Sequence, residues 1–374
     1  MERVMTNKAN WLVCHGYEVT VVTTDQRGRA PYFPLHPAIQ TYDLGINYDV
    51  DNGHLLSKIV HYPLKQWRHR RRLTALLQQI RADIVICMFN NDVSFAYKIQ
   101  DGSRKILEIH FSKNKKLQYG RHGLWALVDR WRTRQEERIV RHYDHFVVLT
   151  EEDKALWGDM PNITVIPNSG PSSTKTKTKT ILPQEGNRYT LKRVLAIGRY
   201  DYQKGFNRLI DIWKQVKTRQ LVNSSTCQLQ NDWQLDIVGE GPLRDELQGQ
   251  INRLGLQDSV HLLQPTSDVP SLYLQASILA MTSRYEGLPM VLIEAQTYGL
   301  PIVAYACQCG PRDIISDGVD GYLIPDGNEA CFAERLTSLM SDETLRQQMG
   351  AAAAKASERF SEERVMQQWE GVLR

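Results

Sequence analysis

The 374-residue sequence has little of several features that would set a protein apart from the ordinary globular class. It contains no run of 18 apolar residues, so no segment has the character of a transmembrane helix. Its first residues lack the pattern of a secretory leader, and its six cysteines are too few and too scattered for a disulfide scaffold. Only Cys307 and Cys309 lie close together, and no second pair completes a zinc site. We therefore predict a cytoplasmic protein with reduced cysteines.

Charge is unevenly distributed, although the whole chain carries a net charge of only +4. Residues 65–141 contain 18 Lys and Arg against 7 Asp and Glu. Within them Lys65–Arg72 (KQWRHRRR) joins basic residues to a tryptophan, a combination typical of a contact with an anionic membrane surface. A solvated helix face is the alternative. Since no nucleic-acid reading motif accompanies the stretch, we predict no nucleic-acid partner.

Short β-rich runs alternate with helical stretches along nearly the whole chain. Repeated βα units imply parallel sheets covered by helices on both faces, and two such series predict two doubly wound, Rossmann-like α/β domains. The predicted strands are Tyr17–Thr23, Asp83–Cys87, Lys105–Ile109 and His145–Leu149 in the first series, and Arg193–Ile197, Gln234–Val238, Ser259–Leu263, Ser277–Met281 and Pro301–Ala304 in the second.

A domain boundary is visible between the two series. A turn cluster at Pro167–Pro171 precedes Thr174–Thr180 (TKTKTKT), which has no apolar residue to bury and is typical of a solvated linker. We predict an N-terminal domain over residues 1–170, a linker over 171–190 and a second domain over 191–357. Residues 358–374 then contain a terminal amphipathic helix, Glu362–Leu373, that packs back toward the first domain.

The beginning of the first series departs from the doubly wound pattern. Such a domain starts with an apolar strand and a glycine-rich turn, whereas this sequence opens on a helical pattern at Met1–Cys14. We expect that first strand to be missing through a truncated gene model, which leaves Tyr17–Thr23 and Asp83–Cys87 with open edges. Because each orphaned backbone group costs roughly 1–3 kcal/mol, we expect a poorly stable first domain and weak activity.

The densest chemical signal is the segment Ser283–Ala295 (SRYEGLPMVLIEA). Glu286 follows a predicted strand, where α/β proteins bind ligands, and Pro289 is well placed to open a helix. The free backbone N–H groups of a helix N-terminus suit a phosphate, and Glu294 could accept hydrogen bonds from a ribose diol. This combination favours a nucleotide-binding site over a surface loop.

Two further strand-to-helix turns support that interpretation. Arg199 and Lys204 follow the strand Arg193–Ile197 within a turn bounded by Gly198 and Gly205, which suits a diphosphate. A second turn contains Gly239 and Gly241, although such turns are common in α/β folds. The predicted donor-binding residues are therefore Gly198, Arg199, Lys204, Gly239, Gly241, Glu286, Gly287, Leu288, Pro289, Met290, Val291 and Glu294.

As a set, these residues resemble the retaining glycosyltransferases of family 4, which have the two-domain GT-B fold. The family's two glutamates, separated by seven residues, match Glu286 and Glu294, and its phosphate-binding cations match Arg199 and Lys204. The resemblance covers nearly all of residues 193–370. It implies retaining, metal-independent transfer of a sugar from a nucleoside-diphosphate donor, with a phosphate oxygen taking the acceptor proton.

In the first half the resemblance is fainter. His110 ends a predicted strand where the family places a histidine near the sugars, so the implied catalytic residues are Glu286, His110, Arg199 and Lys204. Glu2 and Arg3 resemble acceptor-side residues of the family. The implied donor is a UDP- or GDP-sugar with no cofactor, and the implied acceptor is a glycan or lipid-linked oligosaccharide of the bacterial envelope.

Other functions remain open at this level. Asp49 and Asp51 form an Asp-x-Asp pair, but no apolar strand leads into it, so we predict no metal site. A glycosidase would need two carboxylates flanking one bond, which fits poorly with glutamates beside a phosphate-binding helix. The alternatives are an inactive nucleotide-sugar-binding protein and a sugar-nucleotide epimerase of the same fold.

Overall fold

The computed structural model describes residues 2–51, 55–115, 124–171, 191–223 and 232–374. The chain divides into two compact units. Unit 1 comprises residues 1–149, 154–166 and 366–374, and unit 2 comprises residues 150–153 and 167–365. Apart from Pro171, the predicted linker lies outside the described residues.

Unit 1 contains two parallel sheets in the part of the chain that is described. The longest helix that the structure describes in this unit buries Leu73, Leu76 and Leu77 in a small apolar core. The elements, some of whose ends extend into unit 2, are α1 (Glu2–Cys14), β1 (Thr20–Thr23), β2 (Gln40–Asp43), α2 (Leu55–Ile80), β3 (Ile84–Cys87), β4 (Arg104–Glu108), α3 (Leu124–Val140), β5 (His145–Val148), α4 (Glu151–Trp157) and β6 (Ile163–Val165).

The described strands of unit 1 do not form one continuous sheet. Strand β1 pairs with β2, starting at Thr20 opposite Gln40, whereas β3 to β6 form a separate four-stranded sheet. Within the described residues β1 and β3 therefore each have a strand on one side only, and the open edges expected for these two strands are confirmed. Val22 of β1 and Val85 of β3 pack against the same apolar cluster, but both are only partly buried.

Unit 2 is a continuous six-stranded parallel sheet in the order β12-β11-β10-β7-β8-β9. The apolar runs predicted as strands form its buried centre, and β10 and β11 are buried at every residue. Since β7 to β9 are added in one direction and β10 to β12 in the other, the strand order reverses between β7 and β10. The elements are β7 (Arg193–Ile197), α5 (Phe206–Asn223), β8 (Gln234–Val238), α6 (Arg244–Leu254), β9 (Val260–Leu263), α7 (Val269–Leu274), β10 (Ile278–Met281), α8 (Met290–Thr297), β11 (Ile302–Tyr305), α9 (Pro311–Ile314), β12 (Gly321–Ile324), α10 (Glu329–Ser341), α11 (Glu343–Ser357) and α12 (Glu362–Leu373), the last of which ends in unit 1.

Candidate functional site

The loops that follow β7 and β10 lie side by side at the point where the strand order of unit 2 reverses. Ligands of open α/β sheets bind at such a switch point, outside the carboxyl ends of the strands. Two hydrogen bonds connect the loops: the Arg284 amide donates to the Gln203 carbonyl over 2.8 Å, and the Thr282 hydroxyl donates to the Gly205 carbonyl over 3.1 Å. The fold thus brings together the two predicted segments that carry Lys204 and Glu286.

Gly205 makes this contact possible. Its φ of +62° is left-handed, and a Cβ at this position would lie 2.5 Å from the Thr282 carbonyl oxygen. Only glycine satisfies both the backbone conformation and the close approach. The loop after β7 therefore turns immediately after Lys204 and directs that side chain toward the loop after β10.

Glu286 is a buried, paired carboxylate. It is 7% exposed, and Lys204 Nζ donates to its Oε1 over 2.7 Å while Gln203 Nε2 donates to its Oε2 over 3.3 Å. Its own backbone amide donates to the Gln308 carbonyl over 3.1 Å, which fixes the loop against the segment after β11. A buried charge is tolerated when it is paired and hydrogen-bonded, so the arrangement holds a negative and a positive group side by side at the sheet edge.

Glu294 lies in the second turn of α8 and is held from the side. It is 9% exposed, and the Tyr273 hydroxyl donates to its Oε2 over 2.7 Å. The Tyr273 ring stacks on Tyr298, with 5.2 Å between ring centroids and an interplanar angle of 6°. Glu294 is therefore orientated by a rigid aromatic pair, and Tyr273 is a site residue that the sequence motif did not reveal.

The N-terminus of α8 forms in the predicted place, with Pro289 as its N-cap and Met290 as its first residue. The loop before it, which contains Gly287 and Leu288, is packed against Gly310. A Cβ at Gly310 would lie 2.3 Å from Pro289 Cδ, and its φ is +100°. The helix start that carries Val291 is thus fixed by a close contact that only glycine permits.

The glycine-rich turn after β8 packs backbone to backbone against the turn after β7. A Cβ at Gly239 would lie 1.9 Å from the Gly198 carbonyl oxygen, and one at Gly241 would lie 2.5 Å from the Tyr200 carbonyl oxygen. Gly198 itself contacts the methylene chain of Lys204, because a Cβ there would come within 3.0 Å of it. The predicted glycines therefore serve close packing in the same loop cluster as Lys204.

Arg199 is the most accessible of the predicted groups. Its side chain is 72% exposed and its guanidinium lies 2.8 Å from the Asp201 carboxylate. Asp201 also accepts a hydrogen bond from the Lys204 amide over 3.2 Å and so caps the turn. Arg199 is an exposed cation at the rim of the cluster, whereas Lys204 is partly buried and paired with Glu286.

Unit 1 contains a separate buried charge network around His110. His110 Nε2 lies 2.8 Å from Glu108 Oε1, and Lys8 of α1 binds the other carboxylate oxygen. The Lys8 ammonium also lies 3.4 Å from the centroid of the Trp369 ring. Burial alone would raise the pKa of Glu108, but Lys8 and His110 together lower it to about 2. An ionised Glu108 accepts the Nε2 proton, and Nδ1 of His110 is buried with no hydrogen-bond partner among the described residues.

Glu108 was within reach of sequence reasoning, because it lies two residues before His110 and strand residues two apart share a face. Lys8 could not be inferred from the sequence, because it lies 100 residues from Glu108. The predicted acceptor-side residues Glu2 and Arg3 are exposed at the start of α1. Asp49 of the Asp-x-Asp pair forms an ion pair with Arg27 at the surface.

Two negative findings concern the described residues alone. They contain no group of three or more His, Cys, Asp or Glu side chains placed to hold a metal ion. None of their helices is long and apolar enough to cross a bilayer.

Comparison with known families gives a match to each half of the chain. Residues 1–169 match the model for Glycosyltransferase Family 4, and residues 177–356 match the model for Glycosyl transferases group 1. The chain is 35% identical over 233 residues to the amylovoran biosynthesis glycosyltransferase AmsD of Erwinia amylovora, a match that covers 61% of each chain. It is 28% identical to an uncharacterized glycosyltransferase of Haemophilus influenzae, over 100% of this chain and 95% of that one.

A solved structure shares the fold across the whole chain. It is that of the Anabaena protein HepE in complex with UDP and glucose, with a TM-score of 0.69 and 16% identity over 100% of this chain and 95% of that one.

Proposed function

The chain belongs to the group 1, family 4 glycosyltransferases of GT-B fold, and from that premise we propose that it transfers a sugar from a UDP- or GDP-sugar to a glycan or lipid-linked oligosaccharide with retention of anomeric configuration. The observation that carries the proposal is the pairing of Lys204 with Glu286 at the switch point of the unit 2 sheet. That position combines a partly buried cation, a buried carboxylate and a helix N-terminus.

The departing nucleoside diphosphate develops negative charge that fixed groups must stabilise. Lys204 and Arg199 supply positive charge from the loop after β7, and the amides at the start of α8, including that of Val291, supply a positive dipole end. Preorganised groups of this kind stabilise developing charge without reorganising during the reaction. In this proposal they take the part that a divalent cation plays in other transferases.

The two glutamates have different roles in the proposal. Glu286 lies in the loop, with Lys204 on one oxygen and Gln203 on the other, and orients hydroxyl groups of the donor sugar. Glu294 lies farther along α8 and is held by Tyr273, which suits a carboxylate that accepts from both hydroxyls of a ribose. A phosphate oxygen of the donor takes the acceptor proton, so no protein base is needed on that face.

His110 is proposed to hold the sugar or the acceptor through Nδ1. Because Glu108 binds the Nε2 side of the ring, Nδ1 is the ring nitrogen left to bind a hydroxyl group. Lys8 keeps Glu108 ionised and so fixes this arrangement.

Two of the similar proteins support a role in polysaccharide synthesis. The Erwinia amylovora relative acts in amylovoran biosynthesis, and the Anabaena structure contains UDP and glucose. We accordingly propose a role in bacterial envelope or extracellular polysaccharide assembly.

A two-stage experiment tests the proposal. Thermal-shift measurements with UDP, GDP and their sugars identify the base, and incubation of the preferred radiolabelled donor with lipid-linked and soluble glycans measures transfer. We expect transfer that persists in EDTA, and NMR of the product should show the anomeric configuration of the donor. Inverted product refutes retention, epimerised donor without acceptor indicates an epimerase, and nucleotide binding without turnover indicates a binding protein.

A further inference from the structure

A buried lysine of unit 1 is held by groups from two other elements. Lys8 of α1 is buried, and its ammonium forms an ion pair with Glu108 at the end of β4. The same ammonium lies 3.4 Å from the centroid of the Trp369 ring on α12, and that ring is also buried. The positive charge is therefore enclosed between a carboxylate and an aromatic face.

Both contacts favour the charged form of this lysine. Burial lowers the pKa of Lys8, and Glu108 acts against that change. The face of an aromatic ring attracts a cation through its quadrupole, and the attraction is larger where water is excluded. Loss of the Trp369 ring would therefore make it more costly to keep the ammonium beside Glu108.

Glu108 connects the lysine to His110. One carboxylate oxygen of Glu108 binds Lys8, and the other lies 2.8 Å from His110 Nε2. An opposite charge at such a distance favours the charged form of a titratable group. The carboxylate is thus shared between an ammonium and an imidazole, and its negative charge would act more strongly on His110 if Lys8 withdrew.

The position of Trp369 is fixed by the anchoring of its helix. Arg104, the first residue of β4, donates to the carbonyl of Leu373, the last residue of α12. A cation at this end of a helix also interacts favourably with the helix dipole. One strand therefore anchors the helix that carries Trp369 and ends in Glu108, the carboxylate that binds Lys8.

We propose that Trp369 is a positioning residue for His110. Its ring holds Lys8 on Glu108, and that pair sets the orientation and the proton content of the histidine ring. The inference rests on the proposed function, in which His110 holds the sugar or the acceptor. An aliphatic side chain at position 369 would fill part of the same space but would offer the ammonium no ring face.

Fluorinated tryptophans at position 369 test the electrostatic part of the proposal with little change in size. Each added fluorine withdraws electron density from the ring face and weakens its attraction for a cation. NMR of the full chain with ¹⁵N-labelled histidine, without donor or acceptor, reports the protons on both ring nitrogens of His110, whose signals are assigned with His110→Gln. We expect a stepwise increase in the share of His110 rings that carry both protons at neutral pH. Signals that stay constant along the series overturn the proposal.

Two substitutions compare loss of the ring face with its retention. Trp369→Leu should lower kcat/KM for transfer by about tenfold or more, because the ring face is lost in a buried place. Trp369→Phe should recover most of that loss, since phenylalanine still presents a face to Lys8. Affinity for the preferred nucleotide, which unit 2 binds in the proposed function, should be the same in all three proteins. Equal losses in the leucine and phenylalanine variants would contradict a role for the ring face.

Trp11→Leu is the matched control. Trp11 is also a buried tryptophan of unit 1, but it stacks on His15, with 3.5 Å between the ring centroids. Its replacement should lower stability in urea unfolding and leave the His110 signals unchanged. The same change of these signals in Trp11→Leu and Trp369→Leu would indicate general loosening of unit 1 and would overturn the proposal.

The lysine itself provides the second test of the connection. Lys8→Met should change the His110 signals in the same direction as Trp369→Leu, and the double variant should change them no further than Lys8→Met alone. Additive changes would show that the ring acts independently of Lys8 and would refute the proposal. Should Trp369→Leu fail to fold, the fluorinated series decides the matter, because it keeps the shape of the tryptophan.

The NMR and transfer measurements distinguish this inference from the proposed function. Altered His110 signals with unaltered transfer would support Trp369 as the residue that sets the state of His110, and would refute the part that the proposed function gives to this histidine. Lower transfer in Trp369→Leu with unaltered His110 signals would overturn the inference and leave the proposed function in place.

Discussion

Replacing Lys204 by methionine should affect both the stability of unit 2 and the rate of transfer. The change keeps the methylene chain that lies against Gly198 and removes the ammonium group 2.7 Å from Glu286 Oε1. The two side chains are 17% and 7% exposed, so Glu286 would remain buried, with Gln203 at 3.3 Å as its remaining side-chain donor among the described residues. Breaking a buried pair in this way costs about 3–5 kcal/mol, and Gln203 should hold the loss near the lower value.

The catalytic loss has a separate origin and size. A fixed cation at the developing diphosphate charge contributes about 2–4 kcal/mol to the transition state, so kcat/KM should fall by about 30- to 900-fold. Urea unfolding of the variant measures the first effect, and initial rates with the preferred donor, at a temperature where it is folded, measure the second. Lys192→Met provides the control, because that lysine forms an exposed pair with Asp232 at 3.4 Å, for which about 0–1 kcal/mol is expected.

The double variant K204M/E286Q distinguishes the two effects. With the buried carboxylate neutralised, stability should return toward that of the unaltered protein, whereas transfer should stay low because both the cation and the carboxylate that orients the donor sugar are absent. Recovery of turnover in the double variant would show that neither charge is needed for transfer, and would contradict both proposed roles. A single variant that keeps kcat/KM within about threefold would show that the diphosphate binds elsewhere.

Three further predictions concern other parts of the two units. Tyr273→Phe and Glu294→Gln should each weaken binding of the preferred nucleotide, Glu294→Gln by about tenfold or more, with isothermal titration as the measurement and equal affinity as the contrary result. Gly239→Ala places a methyl group 1.9 Å from a neighbouring carbonyl oxygen and should reduce nucleotide affinity more than tenfold, whereas Gly249→Ala, with no atom within 4 Å, should leave affinity unchanged. Because the pKa of Glu108 is about 2 in the folded protein against an ordinary value of 4.5, its contribution to unit 1 is present above pH 4.5 and is lost as the pH falls toward 2. That contribution is about 3 kcal/mol at neutral pH. The destabilisation that Glu108→Gln causes, measured by urea unfolding, should therefore be smaller at pH 3 than at pH 7. An equal destabilisation at the two pH values would contradict the ion pair.

The fold of unit 2 could be predicted because its strands are runs of apolar residues between helical segments. Strands β7 and β8 have the predicted bounds, and Glu286 lies in the predicted loop. Strand β2 could not be predicted, because its sequence at Gln40–Asp43 is exposed at every residue and carries no apolar alternation. The strand forms through pairing with β1, which is a long-range contact that no local pattern reveals.

The candidate site divides in the same way. Glycines, cations and glutamates at strand ends are visible in the sequence, because the chemistry of phosphate and sugar binding restricts the residue types. The side chains that orient these residues are not visible in the sequence. Tyr273 precedes Glu294 by 21 residues and Lys8 precedes Glu108 by 100, and in both cases the contact depends on helix packing that hydrophobic periodicity places only approximately.

The two units hold their functional groups by different means. In unit 2, Lys204 and Glu286 lie on loops whose strands are paired on both sides near the buried centre of the sheet, so the geometry follows from the backbone. In unit 1, His110 follows β4, whose neighbour β3 has an open edge in the described structure. There the position of the side chain depends on buried charges, since Glu108 binds both His110 and the Lys8 of α1. A buried ion pair stabilises a fold only weakly against an apolar alternative but penalises every arrangement that separates its charges. The network around His110 therefore contributes to one defined side-chain geometry in the part of the chain where the sheet constrains it least.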